Sequence, residues 1–249
     1  AALGLGALEP GDAFVSLGTS CQLFVTMEAY RPQPQTLVHA FAHAVPGRWF
    51  QMAAMLNGAS CLAWLASAIG EPDIGQLLRE AEAAPAHDGD VLFLPYLSGE
   101  RTPHNDAKAR GVLFGMTPAT TRGQMVRAVL EGVAYSIREA RDVLASAGTV
   151  VSEAGATGGG ARSLLWLSII ASVTGLRITQ LADSSHGPAL GAARLALVAL
   201  TGASPDAVCT RPAALSIIEP DAALTGHYAH GYDRYRSLYR ALRPEFARL

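Results

Sequence analysis

The stretch Thr157-Gly158-Gly159-Gly160-Ala161-Arg162-Ser163 sets three consecutive glycines between a short strand-like run, Glu153 to Thr157, and a helix that starts near Leu164. A strand that bends on such a turn and runs straight into a helix is a building unit of α/β folds. The glycines leave no side chain between the backbone and whatever lies above the helix start. That start also presents unpaired N–H groups and a partial positive charge. A flat, anionic ligand such as a nucleotide suits the surface, although one Gly-rich turn is equally read as a tight turn with a helix cap. A second element adds weight. Ser16-Leu17-Gly18-Thr19-Ser20 ends the apolar run Ala13-Phe14-Val15, and Leu23-Phe24-Val25 follows. This reads as a hairpin whose turn carries two hydroxyls and a glycine, a shape suited to a phosphate. Two such bends imply one site with phosphate at one end and nucleoside at the other.

Half of the 249 residues are hydrophobic and 16% are charged, enough for a buried core in one large domain or two small ones. The formal charge of -2, without a basic run, gives no reason to expect nucleic acid or an acidic membrane surface as partner. The longest apolar segments, such as Leu164 to Val173, are too short to span a membrane. Cys21, Cys61 and Cys209 are widely spaced and form no CxxC pair, which fits small core residues in a reduced, cytoplasmic compartment. His39 and His43, and His227 and His230, lack the acidic partner of a zinc helix and read as packing or surface residues. The start, Ala1-Ala2-Leu3-Gly4, carries neither a leader pattern nor an initiator Met and reads as part of something longer.

Along the chain, strands are expected at Phe14 to Leu17, Leu23 to Thr26, Trp49 to Met52, Val91 to Leu94, Gly111 to Met116, Glu153 to Thr157 and Arg177 to Leu181. Helices are expected from Asn57 to Ile69, Ile74 to Ala83, Arg122 to Ala147, Leu164 to Val173, Gly187 to Leu200 and along Tyr228 to Leu249. In the long helix, Val126, Val129, Leu130, Val133, Ile137 and Ala140 form an apolar face, with Arg127, Glu131 and Arg138 off it. Ala192, Ala193 and Ala196 are expected to admit a close neighbour. Strands plus long crossover helices make an α/β domain, a mixed sheet flanked by helices.

These motifs together resemble the FGGY family of carbohydrate kinases, built on the actin-like, ribonuclease-H-like ATPase fold. Gly111-Val-Leu-Phe-Gly115-Met116, followed by Gln124-Met125 and Ala128-Val129-Leu130-Glu131, meets every position of that family's second signature. Gly18-Thr19-Ser20 is similar to its phosphate turn, Gly158 to Ser163 to its adenosine turn, and Gly187 to Ala193 to its closing small-residue helix. The loop Tyr96-Leu97-Ser98-Gly99-Glu100-Arg101-Thr102-Pro103-His104-Asn105-Asp106, the stretch His43 to Met52 and the tail around Arg211-Pro212 and Tyr232 to Phe246 resemble the bacterial xylulokinases within the family. One departure is Cys21, where relatives often have glycine after the phosphate turn.

The resemblance implies that residues 1–249 are the C-terminal, nucleotide-binding domain of a two-domain kinase, with the N-terminal sugar-binding domain outside the chain. It implies ATP and Mg²⁺ as cofactors, ATP or ADP as ligand here, and transfer of a phosphoryl group to D-xylulose held by the other domain. The nucleotide would be held by Gly18, Thr19, Ser20, Gly58, Gly159, Gly160, Ala161 and Ser163. The family's catalytic aspartate is expected just before Ala1, so no catalytic residue is assigned inside the chain, and Glu9 and Asp12 read as turn residues. Arg101 and Asn105 either line the cleft or, for Arg101, pair with Glu100 or Asp106 on the surface. A homodimer is left open. Two other readings stay in view. One is a kinase of another sugar or polyol, such as ribulose, glycerol or gluconate. Another is a non-catalytic actin-like module that assembles through its tyrosine tail and alanine-rich helix. A dinucleotide-binding domain is set aside, because neither glycine cluster has the required spacing.

Overall fold

The computed structural model describes residues 1–84, 91–182 and 186–249. Its centre is a sheet of seven strands: β1 (Ala13–Leu17), β2 (Cys21–Met27), β3 (His39–Ala42), β4 (Trp49–Met55), β7 (Glu153–Thr157), β8 (Arg177–Leu181) and β9 (Ala214–Ile218). They lie in the order β3-β4-β2-β1-β7-β8-β9. Strands β1, β7 and β8 run parallel, and every other pairing is antiparallel. Strands β5 (Leu92–Leu94) and β6 (Val112–Phe114) form a separate antiparallel pair. The sheet is therefore mixed, as expected. The parallel trio matters for function, because parallel neighbours deliver their C-terminal turns to the same edge.

Alternation along the strands sends side chains to two different cores. Val15, Leu17, Leu23 and Val25 enter the main core beneath three helices: α4 (Arg122–Ser146), α5 (Leu164–Thr174) and α8 (Thr225–Phe246). Phe14, Phe24 and Leu181 face the other way and pack with Leu5 and Ala7 from the short helix α1 (Ala2–Leu5) and the residues after it. Phe14 and Phe24 stack there with ring centroids 4.7 Å apart. Helix α6 (Gly187–Thr201) covers α1. That approach is made by glycines. A Cβ on Gly4 would strike the carbonyl of Gly187, and Gly191 lies against Gly4. Ala192, Ala193 and Ala196 instead face solvent, so the close neighbour expected of them is on the glycine side of the same helix.

The remaining α-helices among the described residues are α2 (Ser60–Ala68), α3 (Ile74–Ala83) and the short α7 (Pro205–Val208). The expected start of α2 at Asn57 is corrected by three residues. Asn57 is buried, and its Nδ2 donates to the Gly99 carbonyl at 2.9 Å, so it ties the polar loop down rather than capping a helix. The long helix begins where the sequence placed it, with Thr121 and Gln124 forming a reciprocal capping box.

Two expectations about charge and aromatics change. Arg127 and Glu131 lie inside the protein. Arg127 Nε meets Glu131 Oε1 at 2.9 Å, and Tyr228 closes over both. Arg138 covers the Tyr232 ring at 4.3 Å. The tyrosines of α8 are core residues: Tyr228, Tyr232, Tyr235 and Tyr239 are all buried, grouped around Tyr135, Tyr96 and His104. They form no exposed interface, which removes the sequence basis for assembly through the tail. Cys21, Cys61 and Cys209 are buried free thiols, and burial pushes the Cys21 and Cys61 thiols well above their ordinary range.

Candidate nucleotide site

Parallel pairing of β1 with β7 sets Ser16 opposite Thr157. The turns that follow these strands, 18–20 and 158–160, therefore emerge side by side. Their contact is intimate. Gly158 adopts φ 92° and ψ 175°, a region that only glycine occupies comfortably. A Cβ there would lie 2.6 Å from the Leu17 carbonyl oxygen and 3.0 Å from the Gly18 nitrogen. Gly160 is pressed on Leu17 and Trp166, and Ala161 is buried beside it. Trp166 is fixed from below by donating its Nε1 to the Leu130 carbonyl at 3.0 Å. Gly159 differs from both neighbours. It is exposed, and the nearest atom to an added Cβ would be the mobile end of Arg162 at 3.9 Å. Ser163 caps α5 by accepting the Trp166 N–H at 3.2 Å.

Gly58 reaches the same place from the end of β4. Its N–H donates to the Thr19 carbonyl at 2.9 Å, the Ala59 N–H to the Gly18 carbonyl at 2.7 Å, and the Ser60 hydroxyl to the Thr19 carbonyl at 2.6 Å. A Cβ on Gly58 would fall 2.7 Å from the Ser20 oxygen, so glycine is needed for this approach. The Ser20 carbonyl accepts the Gly18 N–H at 3.1 Å. All three carbonyls of the 18–20 bend are thus occupied. The N–H groups and hydroxyls of Thr19 and Ser20 bond to nothing among the described residues, and Thr19 is exposed. A bend with its acceptors used and its donors free is electrostatically suited to an anion.

The structure thus brings Gly18, Thr19, Ser20, Gly58, Gly159, Gly160, Ala161 and Ser163 to one edge of the sheet. The acidic residues nearest the chain start are elsewhere. Asp12 accepts the Leu8 and Glu9 N–H groups at 3.0 and 2.9 Å and pairs with Arg211, and Glu9 pairs with Arg48 at 3.0 Å. Asp12 stands at the opposite end of β1 from the bend. A hollow of about 160 Å³ at that far end is lined by Asp12, Glu153, Arg177 and Arg211, and its arginines are tied to Asp12 and Glu219.

The polar loop resolves differently from its expected surface pairing. Arg101 is exposed and forms no ion pair among the described residues. Glu100 is buried at 2% exposure, and its Oε1 accepts the N–H of Leu56 at 2.9 Å and of Arg101 at 2.7 Å. Asp106 accepts the Tyr239 hydroxyl at 2.9 Å. The one sequence signal for Glu100 is its place amid Leu97, Ser98 and Gly99. In a charge-rich loop that signal is weak.

Comparison with known proteins accords with this geometry. Residues 13–200 match the C-terminal domain of the FGGY family of carbohydrate kinases. The chain is 39% identical to a xylulose kinase of Klebsiella pneumoniae over 244 residues, 98% of this chain and 50% of the relative. It is also 39% identical to a xylulose kinase of Escherichia coli over 250 residues, 99% of this chain and 51% of the relative. Among solved structures, a xyloylose kinase from Brucella ovis superposes with a TM-score of 0.91 at 46% identity, covering 98% of this chain and 50% of that one. The chain spans about half the length of the relatives it matches. The fold is that of the actin-like ATPases, a mixed sheet flanked by helices. By its matched residues and its architecture, the chain belongs to the FGGY family of carbohydrate kinases.

Proposed function

We propose that this chain is the nucleotide-holding half of an ATP-dependent xylulose kinase, which moves the terminal phosphoryl group of ATP to the 5-hydroxyl of D-xylulose. The observation that carries the nucleotide assignment is the 18–20 bend, with its carbonyls occupied and its N–H and hydroxyl donors free, seated beside the bare backbone of Gly159. Thr19 and Ser20 would hold the outer phosphates, with Gly18 and Gly58 shaping the turn. Gly159, Gly160 and Ala161 would form the flat surface for the adenine, with Ser163 at its edge. Phosphoryl transfer depends on positioning and charge stabilisation more than on covalent chemistry, and a rigid half-site supplies the first. Mg²⁺ supplies charge neutralisation at the phosphates when bound. Among the described residues no group of three or more His, Cys, Asp or Glu is placed to hold a metal. The sugar assignment rests on the similarity of the chain to xylulose kinases.

Calorimetric titration of the chain with ADP and Mg²⁺ is expected to show binding, and Gly159→Val to abolish it. A Cβ added there meets nothing nearer than the end of the Arg162 side chain at 3.9 Å, and the urea unfolding of the variant separates lost binding from lost folding. An unchanged isotherm for the variant would remove the adenine from this surface. On this reading the general base lies just before Ala1 and the sugar site in the N-terminal domain, both outside residues 1–249. The purified 249-residue chain is therefore expected to show no sugar-dependent ATP turnover, and steady turnover with D-xylulose would overturn that division. A panel of xylulose, ribulose, glycerol and gluconate, assayed with the two-domain protein, tests the sugar.

A further inference from the structure

Glu100 lies at the closure of the polar loop. Glu100 and Asp106 exchange backbone hydrogen bonds at 2.9 and 2.8 Å, and Asn57 donates to the Gly99 carbonyl at 2.9 Å. The loop is thereby stitched to the turn at Leu56-Asn57-Gly58. One carboxylate oxygen of Glu100 accepts two N–H groups, from Leu56 and Arg101, and the other is buried with no hydrogen-bond partner among the described residues. Two residues beyond Leu56, the Gly58 N–H grips the Thr19 carbonyl. An unbroken path of covalent and hydrogen bonds thus joins this carboxylate to the bend assigned to phosphate. A buried carboxylate with one unpartnered oxygen is costly, while a charged acceptor binds N–H groups about twice as strongly as a neutral one.

We propose that Glu100 is a positioning residue for the nucleotide: its ionised carboxylate holds the Leu56–Gly58 turn against the Gly18–Ser20 bend, and nucleotide affinity follows its charge state. The inference rests on the nucleotide reading of that bend. Burial lifts the Glu100 carboxyl to about 7, against the pull of the Leu56 and Arg101 N–H groups, and Glu139 pushes it further up. The groups facing it are Arg101 on its own loop, Glu139 on α4, Cys21 on β2, Cys61 on α2, Tyr96 on the loop and Tyr235 on α8. Burial raises both thiols and both phenols far above neutrality, so none of these four groups changes charge between pH 6 and pH 8. Glu139 is itself 3.3 Å from His104 Nε2.

The test compares ADP·Mg²⁺ affinity of the chain and of Glu100→Gln at pH 6 and pH 8. The nucleotide's own phosphate titration is common to both and cancels in the ratio. The chain is expected to lose about threefold more affinity than the variant on going from pH 8 to pH 6, the part of an about fivefold coupling between the two charge states that falls between those pH values. In NMR spectra, the amide protons of Leu56 and Arg101 should titrate with a midpoint near 7 in the chain and stay flat in the variant. By reciprocity, saturating ADP should lower that midpoint by about 0.7 pH units, the same fivefold expressed as a pKa. This last readout needs no variant and stands if Glu100→Gln fails to fold. Equal pH dependence in both proteins, tighter relative binding at pH 6, or a midpoint that ADP leaves in place would each overturn the proposal. Binding of ADP without any of these signatures sinks the role of Glu100 alone. No ADP binding at either pH sinks the nucleotide reading as well.

Discussion

Gly158→Ala is expected to remove a large part of this protein's stability. Two terms add. Gly158 sits at φ 92° and ψ 175°, and forcing a side chain there costs about 1–3 kcal/mol. The new Cβ would also fall 2.6 Å from the Leu17 oxygen and 2.7 Å from the Leu17 carbon. These are backbone atoms of β1, which is paired on one side to β2 and on the other to β7, so neither can yield without breaking sheet contacts. Overpacking of that kind costs about 1–3 kcal/mol more. A total loss of about 3–5 kcal/mol is a major share of the 5–15 kcal/mol typical of a domain. Urea denaturation measures it directly. Gly159→Val, one residue along, is the control and should change stability by less than about 1 kcal/mol. If Gly158→Ala unfolds at the same urea concentration as the unmodified chain, the two bends are not pressed together as described.

The contrast between these adjacent glycines also shows what the sequence could and could not disclose. Three glycines in a row announce a backbone that something must approach closely. They do not say that two of them are approached by the protein's own sheet and one by solvent. That division follows from the parallel pairing of β1 with β7, a contact between residues about 140 positions apart in the chain. Gly58 gave even less away. It enters the site through resemblance alone, and nothing in its neighbours discloses that a Cβ there would meet the carbonyls of residues 18 and 20.

Helix positions were legible because their period is local. Helix α3 falls where the apolar spacing put it, and α4 starts at its capping box. What failed was inference from residue type where tertiary contact overrides it. Asn57 is a good cap by type, but its amide is claimed by Gly99. Strands β3 and β9 escaped notice because both lie at sheet edges and carry no clean alternation of burial. Leu215 and Ile217 of β9 are more than half exposed. Charge was the most misleading label. Glu100, Arg127, Glu131 and Glu139 are all buried, and each does its work through partners supplied by distant segments. A helical wheel has no means of showing that Tyr228 will close over Arg127 and Glu131.

That buried pair carries the second large effect. Arg127 donates to Glu131 at 2.9 Å, and its Nη1 reaches the carbonyls of Ala81 and Ala84 at 3.3 and 3.2 Å, where α3 ends. Arg127→Ala would leave a buried carboxylate without its cation, with only the Tyr228 hydroxyl at 3.4 Å, and strip the last carbonyls of α3 of this donor. Breaking one side of a buried pair costs about 3–5 kcal/mol. The loss should depend on pH, and the sign follows from Glu131. Burial raises its carboxyl to about 7, while Arg127 pulls it down. A raised carboxyl favours the fold when protonated, so its contribution is full below the ordinary carboxylate range and fades as pH climbs through about 7. Without Arg127 the carboxyl rises further, and ionising it at pH 8 becomes costlier. Arg127→Ala should therefore be more damaging at pH 8 than at pH 5.5 in urea unfolding. Adding Glu131→Gln should remove most of that difference, because the double variant no longer has a carboxylate to strand. Equal losses at the two pH values would show that Glu131 does not ionise in the folded protein, leaving the missing bonds to α3 as the source of the damage.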